Sequence, residues 1–262
     1  MPNAAALGRR IWAPGLDDGY VPQGLASAGD YLFVSAYHPE PEEHSPNGTC
    51  RVFRIERATG RTAGSFGLPA GLCGHAGGLA YLGNGRLLLA DTRRIFGIDL
   101  ARALASGQAE GAMEWVELSG ALRGSFAAFD GRDAWIGTWT HDANQSHMYR
   151  LSPRIFDEFD RRTVDEREAL GSIAIPLEAQ GAAFARDGDL WLSASNSKWG
   201  RLYRLDPSGK VKAEYEMTAG LEGLAFDSGG HLWALSESGS RKYLYWGTAF
   251  PFVFEIDVSR LR

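Results

Sequence analysis

The clearest indication of the fold is Glu222-Gly-Leu-Ala-Phe-Asp227, followed by Gly230-His-Leu-Trp-Ala-Leu-Ser236. Its first part is a short run of small and apolar residues, and its second part is rich in Leu and Trp. The residues between them are Asp, Ser and Gly, which favour the tight turn of a β-hairpin. The stretch therefore predicts two antiparallel strands joined by a short turn.

The same pattern occurs four more times along the chain. The other copies begin with Gln23-Gly-Leu-Ala, Gly77-Gly-Leu-Ala, Ser125-Phe-Ala-Ala and Gln180-Gly-Ala-Ala. The five copies thus start near residues 23, 77, 125, 180 and 222. A third strand that alternates apolar and polar side chains follows in each copy, and a weaker fourth strand follows in four. Such repeats predict an all-β, five-bladed β-propeller of four-stranded antiparallel blades.

The last copy lacks its fourth strand, and residues 8–15 can supply it. We therefore predict that the N-terminal strand closes the ring, since an open ring leaves unpaired sheet edges. Residues 1–262 are predicted to form a single propeller domain. A β-sandwich or two small β-domains is the alternative, but neither needs a recurring strand of small residues. Short helical turns are predicted at 100–107 and 157–170.

Composition and charge narrow the class of protein. The chain has 262 residues with 44% hydrophobic and 23% charged residues, which excludes wholesale disorder. The net charge of -5 gives no reason to expect nucleic acid or a membrane as a partner. Without a signal sequence or a long apolar run, we expect a cytoplasmic protein. The sequence does not predict an oligomeric state.

The two cysteines, Cys50 and Cys73, fall on loops and strand ends of the same predicted face. They lack the tight ligand spacing of zinc motifs. A metal cluster, a disulfide and free thiols all remain open, and in a cytoplasmic protein we expect unpaired, reduced thiols.

The Glu222 stretch, together with Gly78-Leu-Ala and Leu89-Ala-Asp91-Thr92, resembles the repeat of NHL-type propellers. It also resembles the repeats of gluconolactonase/regucalcin-like propellers and of streptogramin lyase. The resemblance covers all five repeats and implies propeller architecture, although those families have six or seven blades. In the gluconolactonase-like family a Glu at the start of an inner strand binds a divalent metal ion on the axis, and Glu222 matches that position.

The other first-strand positions are Gln23, Gly77, Ser125 and Gln180, none of which is Asp or Asn. The resemblance therefore implies a polar axial site, with one divalent metal ion at Glu222 as the cofactor to test.

In a propeller, the starts of the first strands and the ends of the second strands share one face and meet in a funnel. We predict Glu222 and His75 as catalytic residues because a buried carboxyl and an imidazole can both exchange protons near neutral pH. The predicted substrate-binding residues are Gln23, Gln180, Asn196, Asp91, Tyr37, His38, Trp139, His141 and Arg93.

Several of these residues also have structural interpretations. Asp91 can brace the turn that follows it, and the two glutamines can satisfy loop backbone groups. Glu222 can form a salt bridge with Arg93 or Arg241. Three long loops rise over the funnel, at 38–49, 140–147 and 237–251. The last contains Tyr243, Tyr245, Trp246 and Phe250, and we predict that it folds over the funnel or packs on a partner.

Two functions follow. The first is an enzyme that acts on a small polar molecule in the axial funnel, a hydrolase or lyase of lactonase-like type. The convergence of titratable and amide side chains on one face favours it. The second is a non-catalytic propeller that binds a sugar or a protein partner through the aromatic loop. The lack of a complete metal or nucleophile constellation favours that alternative.

Overall fold

The computed structural model describes residues 1–39, 48–157 and 163–262, and its strands form five sheets. The chain begins with a 3-10 turn at Ala4–Ala6 and strand β1 at Leu7–Trp12. The first blade then contains β2 (Val21–Ala28), β3 (Tyr31–Tyr37), β4 (Cys50–Glu56) and β5 (Thr62–Gly67). The second contains β6 (Gly78–Gly83), β7 (Arg86–Asp91), β8 (Arg94–Asp99), helix α1 (Leu100–Ser106) and β9 (Met113–Leu118).

The remaining blades follow the same order from the axis outward. The third blade contains β10 (Phe126–Phe129), β11 (Ala134–Gly137), β12 (His147–Leu151) and, after the short strand β13 (Thr163–Val164), β14 (Gly171–Ala174). The fourth contains β15 (Ala179–Phe184), β16 (Leu190–Ser195), β17 (Gly200–Leu205) and β18 (Val211–Met217). The fifth contains β19 (Leu221–Phe226), β20 (Leu232–Ser236), β21 (Phe252–Ile256) and β1. Further 3-10 turns lie at Pro153–Phe156, Glu166–Glu168, Arg241–Tyr243 and Val258–Arg260.

The five-bladed propeller and its closure by the N-terminal strand are confirmed. Strand β1 pairs antiparallel with β21, with Leu7 opposite Ile256 and Trp12 opposite Phe252. Beyond the sheet, the Asn3 side chain donates a hydrogen bond to the Arg262 carbonyl at 3.1 Å and accepts one from the Arg262 N–H at 2.9 Å. The last blade therefore combines strands from both ends of the sequence.

The second blade departs from the predicted four strands. Strand β13 adds to it in parallel with β9, and the buried side chain of Val164 packs in the core between the second and third blades. The helical prediction at 100–107 is confirmed by α1. The one at 157–170 is confirmed only at Glu166–Glu168, which form a 3-10 turn; Thr163–Val164 form strand β13 instead, and residues 158–162 lie outside the description.

Five buried apolar clusters fill the spaces between neighbouring blades. In the cluster between the fifth and first blades, Trp233 and Val253 pack against Leu32 and Val34. Each blade thus covers the apolar face of the next. In the described parts of the chain, none of the helices has the length and apolar character needed to cross a bilayer.

The inner strands β2, β6, β10, β15 and β19 contact one another in a closed cycle around the axis. A Cβ atom at Gly78 would lie 2.2 Å from the backbone nitrogen of Ala127, and one at Gly223 would lie 2.4 Å from that of Leu25. Side chains are excluded at these positions because the neighbouring atoms are backbone and cannot move aside. This is the physical reason for the small residues that recur in the first strands.

Cys50 and Cys73 form a disulfide, so the prediction of free thiols is wrong. The end of β3 and the start of β4 bring Cys50 against the loop before β6, a proximity that the sequence separation of 23 residues does not reveal. The sulfur atoms also lie within 4.8 Å of an Asp91 carboxylate oxygen. This group is not a metal site, because both thiols are consumed in the disulfide.

We expect Gly78→Ala to lower the free energy of unfolding by about 2 kcal/mol or more, because the added methyl group collides with backbone. Denaturant unfolding measures the change. Gly171→Ala is the matched control, since a Cβ there meets only the far end of Arg150 at 3.8 Å. Equal stabilities for the two variants would contradict the close approach of the inner strands.

We expect the double variant Cys50→Ser, Cys73→Ser to lose about 3 kcal/mol of unfolding free energy, since the disulfide closes a loop in the unfolded chain. Thermal unfolding with and without a reductant tests this. The reductant should lower the midpoint of the parent protein and leave that of the double variant unchanged.

Candidate functional site

A cavity of about 910 Å³ opens on the face where first strands begin and second strands end. All five blades contribute to its wall, through Gln23, Thr92, Ser125, Gln180 and Glu237 in turn. The predicted residues Gln23, Gln180, Asn196, Trp139 and His75 all line it. The funnel expected from the repeat arrangement is therefore present, and it is large enough for a small molecule.

Two carboxyl groups meet at the floor of this cavity. Glu222 is the second residue of β19 and is 1% exposed, and Glu237 follows β20 and is 6% exposed. The two carboxyls form a hydrogen bond with each other. The Gln180 amide donates to Glu222 Oε1 at 2.8 Å, and the Gln23 amide donates to Glu237 Oε2 at 2.7 Å. Of the two carboxyls, only that of Glu237 reaches the cavity wall.

The pair holds a proton at neutral pH. Burial raises the pKa of Glu222 well above its usual range, and the charge of Glu237 raises it further. Burial also raises the pKa of Glu237 to about 7, against hydrogen bonds from Gln23 and Glu222 and the charge of Lys242, which lower it. We therefore describe the pair as a protonated Glu222 that donates to the Glu237 carboxylate, with the proton shared as one coupled unit.

His75 lies on the wall beside this floor, on the loop that the disulfide anchors at Cys73. The Asp91 carboxylate accepts hydrogen bonds from the N–H groups of Gly74, His75 and Ala76, at 3.2, 2.6 and 2.8 Å. Burial lowers the pKa of His75, and the Asp91 charge opposes that shift. The imidazole is therefore uncharged at neutral pH.

Asp91 itself does not line the cavity. Its prediction as a substrate-binding residue is replaced by the bracing role, because its oxygens are occupied by backbone N–H groups.

The loop after Glu237 folds over the cavity and contributes Tyr243, Tyr245 and Trp246 to its wall. Phe250, in contrast, packs in the core between the fourth and fifth blades. Tyr37 lies beneath this loop and is 1% exposed. Its hydroxyl accepts a hydrogen bond from Lys242 Nζ at 2.7 Å and lies 3.2 Å from the Tyr243 hydroxyl. Tyr37 thus supports the wall and does not line it, contrary to its prediction as a substrate-binding residue.

A second set of contacts orders the fourth blade's part of the wall. The Asn196 amide donates to Glu178 at 2.7 Å, and the other oxygen of that carboxylate lies 2.8 Å from His141 Nδ1. The exposed His141 ring also packs against Trp139, with ring centroids 4.7 Å apart. His141 therefore stands outside the cavity lining and contacts two residues that hold or form it.

Two more predicted residues do not line the cavity. His38 Nε2 lies 3.1 Å from the Asp18 carbonyl, at the end of β3, outside the cavity. Arg93 is exposed beyond the cavity rim. Neither Arg93 nor Arg241 forms a salt bridge with Glu222 within the described residues, and Arg241 donates instead to the Asp17 carbonyl.

The prediction of Glu222 as a cavity residue and metal ligand is also corrected. Its carboxyl lies below the floor, in contact with Glu237 and Gln180. A hard divalent cation needs about six oxygen ligands, whereas the glutamines direct N–H groups at this carboxyl pair. As they are arranged, these side chains do not fit a metal ion.

The sequence analysis places residue 237 at the start of a loop over the funnel and assigns no role to Glu237 or to Arg123. The spacing of Glu237 from the end of β20, which matches that of Thr92 from the end of β7, was the available signal. Three lining residues, Thr138, Ser195 and Trp246, also carry a buried donor atom with no hydrogen-bond partner among the described residues. Such donors favour a ligand rich in acceptor oxygens.

We expect the carboxyl pair to make stability depend on pH. Because the pKa of Glu237 is raised, the folded state binds more protons than the unfolded state. The contribution of Glu237 to the free energy of unfolding is therefore full below about pH 4.5 and is lost as the pH rises through about 7. Relative to Glu237→Gln, the parent should lose on the order of 3 kcal/mol of unfolding free energy between about pH 5 and about pH 8. Denaturant unfolding across this range measures the difference.

Glu110→Gln is the control for this measurement, since Glu110 is exposed. Parallel pH profiles for the parent protein and Glu237→Gln would show that the pair does not titrate as described.

No protein-family model matches the sequence, and no curated protein matches it. Solved structures do match. A protein of unknown function from Bacteroides caccae has 13% identity to this chain and a TM-score of 0.51. The alignment covers 91% of this chain and 79% of that protein. A PQQ-bound aldose sugar dehydrogenase from Streptomyces coelicolor has 17% identity and a TM-score of 0.48, covering 88% and 77%.

A catalytically inactive virginiamycin B lyase from Staphylococcus aureus, with quinupristin, has 16% identity and a TM-score of 0.44, covering 88% and 82%. At such identities, the similarity concerns the fold alone. The five sheets around one axis show the β-propeller fold in the chain itself.

Proposed function

We propose that the protein is an enzyme that acts on a small polar molecule by proton transfer, as a hydrolase or a lyase. The observation that carries this proposal is the buried pair of Glu222 and Glu237, which has one carboxylate on the wall of a cavity. A carboxylate with a pKa of about 7 is close to the optimum for a general base or acid at neutral pH.

In the proposed mechanism Glu237 is the catalytic residue. In hydrolysis, its carboxylate takes a proton from a water molecule, whose oxygen adds to the substrate carbonyl. The same proton then passes to the oxygen that leaves. In elimination, the carboxylate takes a proton from carbon, the electron pair of that C–H bond forms the double bond, and the leaving group departs. Both reactions start with the same step, and the cavity supports both.

Other residues of the site serve this step. Glu222 is a positioning residue in this proposal, because it touches Glu237 and not the cavity. His75, uncharged at neutral pH, is a second proton acceptor on the wall. Gln23 and Gln180 hold the two carboxyls, while Trp139 and Asn196 form the wall against which the substrate is oriented.

The proposal is tested with a panel of lactones and carboxylic esters for hydrolysis and of β-hydroxy acids for elimination. We expect Glu237→Gln to lower kcat by about 10²- to 10⁴-fold on the substrate that turns over. Its fold should be retained, as circular dichroism can check, and Glu110→Gln should have parent activity. Parent activity in Glu237→Gln would overturn the assignment.

Glu222 is tested by the pH profile of kcat/KM. Glu222→Gln retains a donor to Glu237 and should keep the parent profile. Glu222→Ala removes the donor that lowers the pKa of Glu237, so the rise of a base-catalysed profile should move to higher pH. A purely structural residue would change the activity of both variants without moving this profile.

The alternative, a non-catalytic binding propeller, is favoured by one observation. Leu244 and Tyr245 are neighbours on the loop over the cavity, and their exposures of 66% and 79% leave both large side chains open to a partner. If no panel member turns over while a sugar or protein partner binds and protects these two side chains, the binding function replaces the enzymatic one.

The expected cytoplasmic location stays a prediction, and the Cys50–Cys73 disulfide weighs against it. Disulfides persist mainly in oxidising compartments. The expectations that nucleic acids and membranes are not partners also remain predictions.

A further inference from the structure

Two arginines flank a backbone bridge where the second blade meets the third. The Thr92 N–H donates to the Gly124 carbonyl at 3.1 Å, and the Gly124 N–H donates to the Thr92 carbonyl at 2.9 Å. This is an antiparallel bridge just beyond the end of β7 and just before β10. Arg93 follows this bridge on one side and Arg123 precedes it on the other, and the charge of Arg93 acts on the Arg123 guanidinium.

Neither guanidinium forms an ion pair with an acid of the described residues. Arg123 Nη1 donates to the carbonyls of Gly120 and Leu122, at 2.8 and 2.6 Å. The nearby carboxylate of Glu166 is held by the N–H of Ala121 at 2.8 Å. Burial lowers the pKa of Arg123, the charge of Arg93 lowers it further, and Glu166 opposes both shifts.

This arrangement costs stability in the free protein. Two like charges close to each other repel, and a half-buried guanidinium loses part of its hydration. An arginine stays charged at any pH at which the protein is folded, so the repulsion is not relieved by deprotonation. A bound anion would neutralise both charges.

Arg123 is also directed to the right place, since it lines the cavity together with Thr92, Ser125 and Tyr149. Among the described lining residues, Glu237 is the single acid. Hydroxyl and amide donors surround the rest, and an arginine fork matches the oxygens of a carboxylate or phosphate. The wall therefore combines a fixed positive charge with neutral donors.

We propose that Arg123, with Arg93 beside it, binds an oxyanion group of the ligand, a carboxylate or a phosphate, at this wall of the cavity. The proposal rests on the proposed function only in treating that ligand as a substrate. This binding mode gives the two ends of the ligand different roles. The anionic group lies against Arg123, and the reacting bond lies near Glu237.

Isothermal titration calorimetry with sodium phosphate and with sodium acetate, at constant ionic strength set by sodium chloride, tests the site. We expect saturable binding of at least one anion to the parent protein, and a Kd at least tenfold weaker in Arg123→Gln. The anion with the lower Kd identifies the group as a phosphate or a carboxylate. Arg123→Lys keeps the charge without the fork, so its Kd should lie between those of the parent protein and Arg123→Gln.

Arg186→Gln is the matched control, since Arg186 also donates to a backbone carbonyl but lies in the turn between β15 and β16, away from the cavity. It should bind as the parent does. Arg93→Gln is the second variant, should Arg123→Gln not fold, because the exposed Arg93 side chain carries little of the structure. Binding to it should weaken at least threefold.

Absence of saturable binding to the parent, or unchanged binding in both Arg123→Gln and Arg93→Gln, overturns the proposal. Glu237→Gln separates it from the proposed function, since this variant should bind the anion as the parent does. Anion binding without turnover of any panel member would leave the site in place and remove the enzymatic assignment.

Discussion

The approach of five inner strands around one axis is the constraint on which the site depends. Gly24, Gly78, Gly181 and Gly223 each lack the space for a Cβ atom because a neighbouring inner strand lies against them. The residue before each of these glycines is therefore held at a fixed height and angle near the axis. Three of those residues are Gln23, Gln180 and Glu222, which support the floor of the cavity.

This packing also explains the chemistry of the floor. The close approach removes water from around Glu222, and the turn after β20 places Glu237 against it. Two carboxyls in one dry site cannot both ionise at low cost, so one proton stays with the pair. The surrounding sheets keep the pair in place despite this cost. Such sites are where proteins often give up stability for function.

Much of the fold followed from local sequence patterns. The hairpin turns and the alternation in the third strands each involve neighbouring residues, so they predict blades without knowledge of distant contacts. The shared face of the site also followed, because strand direction fixes it. Contacts between loops did not follow: the Cys50–Cys73 disulfide, the bracing role of Asp91 and the buried position of Tyr37 depend on how separate loops meet.

Glu237 is a second example of what local sequence patterns do not predict. Its carboxylate matters because burial changes its pKa, and burial at a loop start is a property of the assembled ring. Arg123 likewise gains significance only from the bridge between Thr92 and Gly124, which joins residues of two blades. Spacing within one repeat places Glu237 on this face, but it does not determine the burial of Glu237 or the bridge beside Arg123.

The pairing of β1 with β21 gives the molecule a seam. Asn3 and Arg262 are hydrogen-bonded there, so tension applied to the two ends of the folded chain acts first on a single pair of strands. Peeling β1 away would uncover the outer edge of the fifth blade, the blade that supplies both Glu222 and Glu237. Mechanical load would therefore act first on the fifth blade, and then on the first blade through residues 13–20, which join β1 to β2.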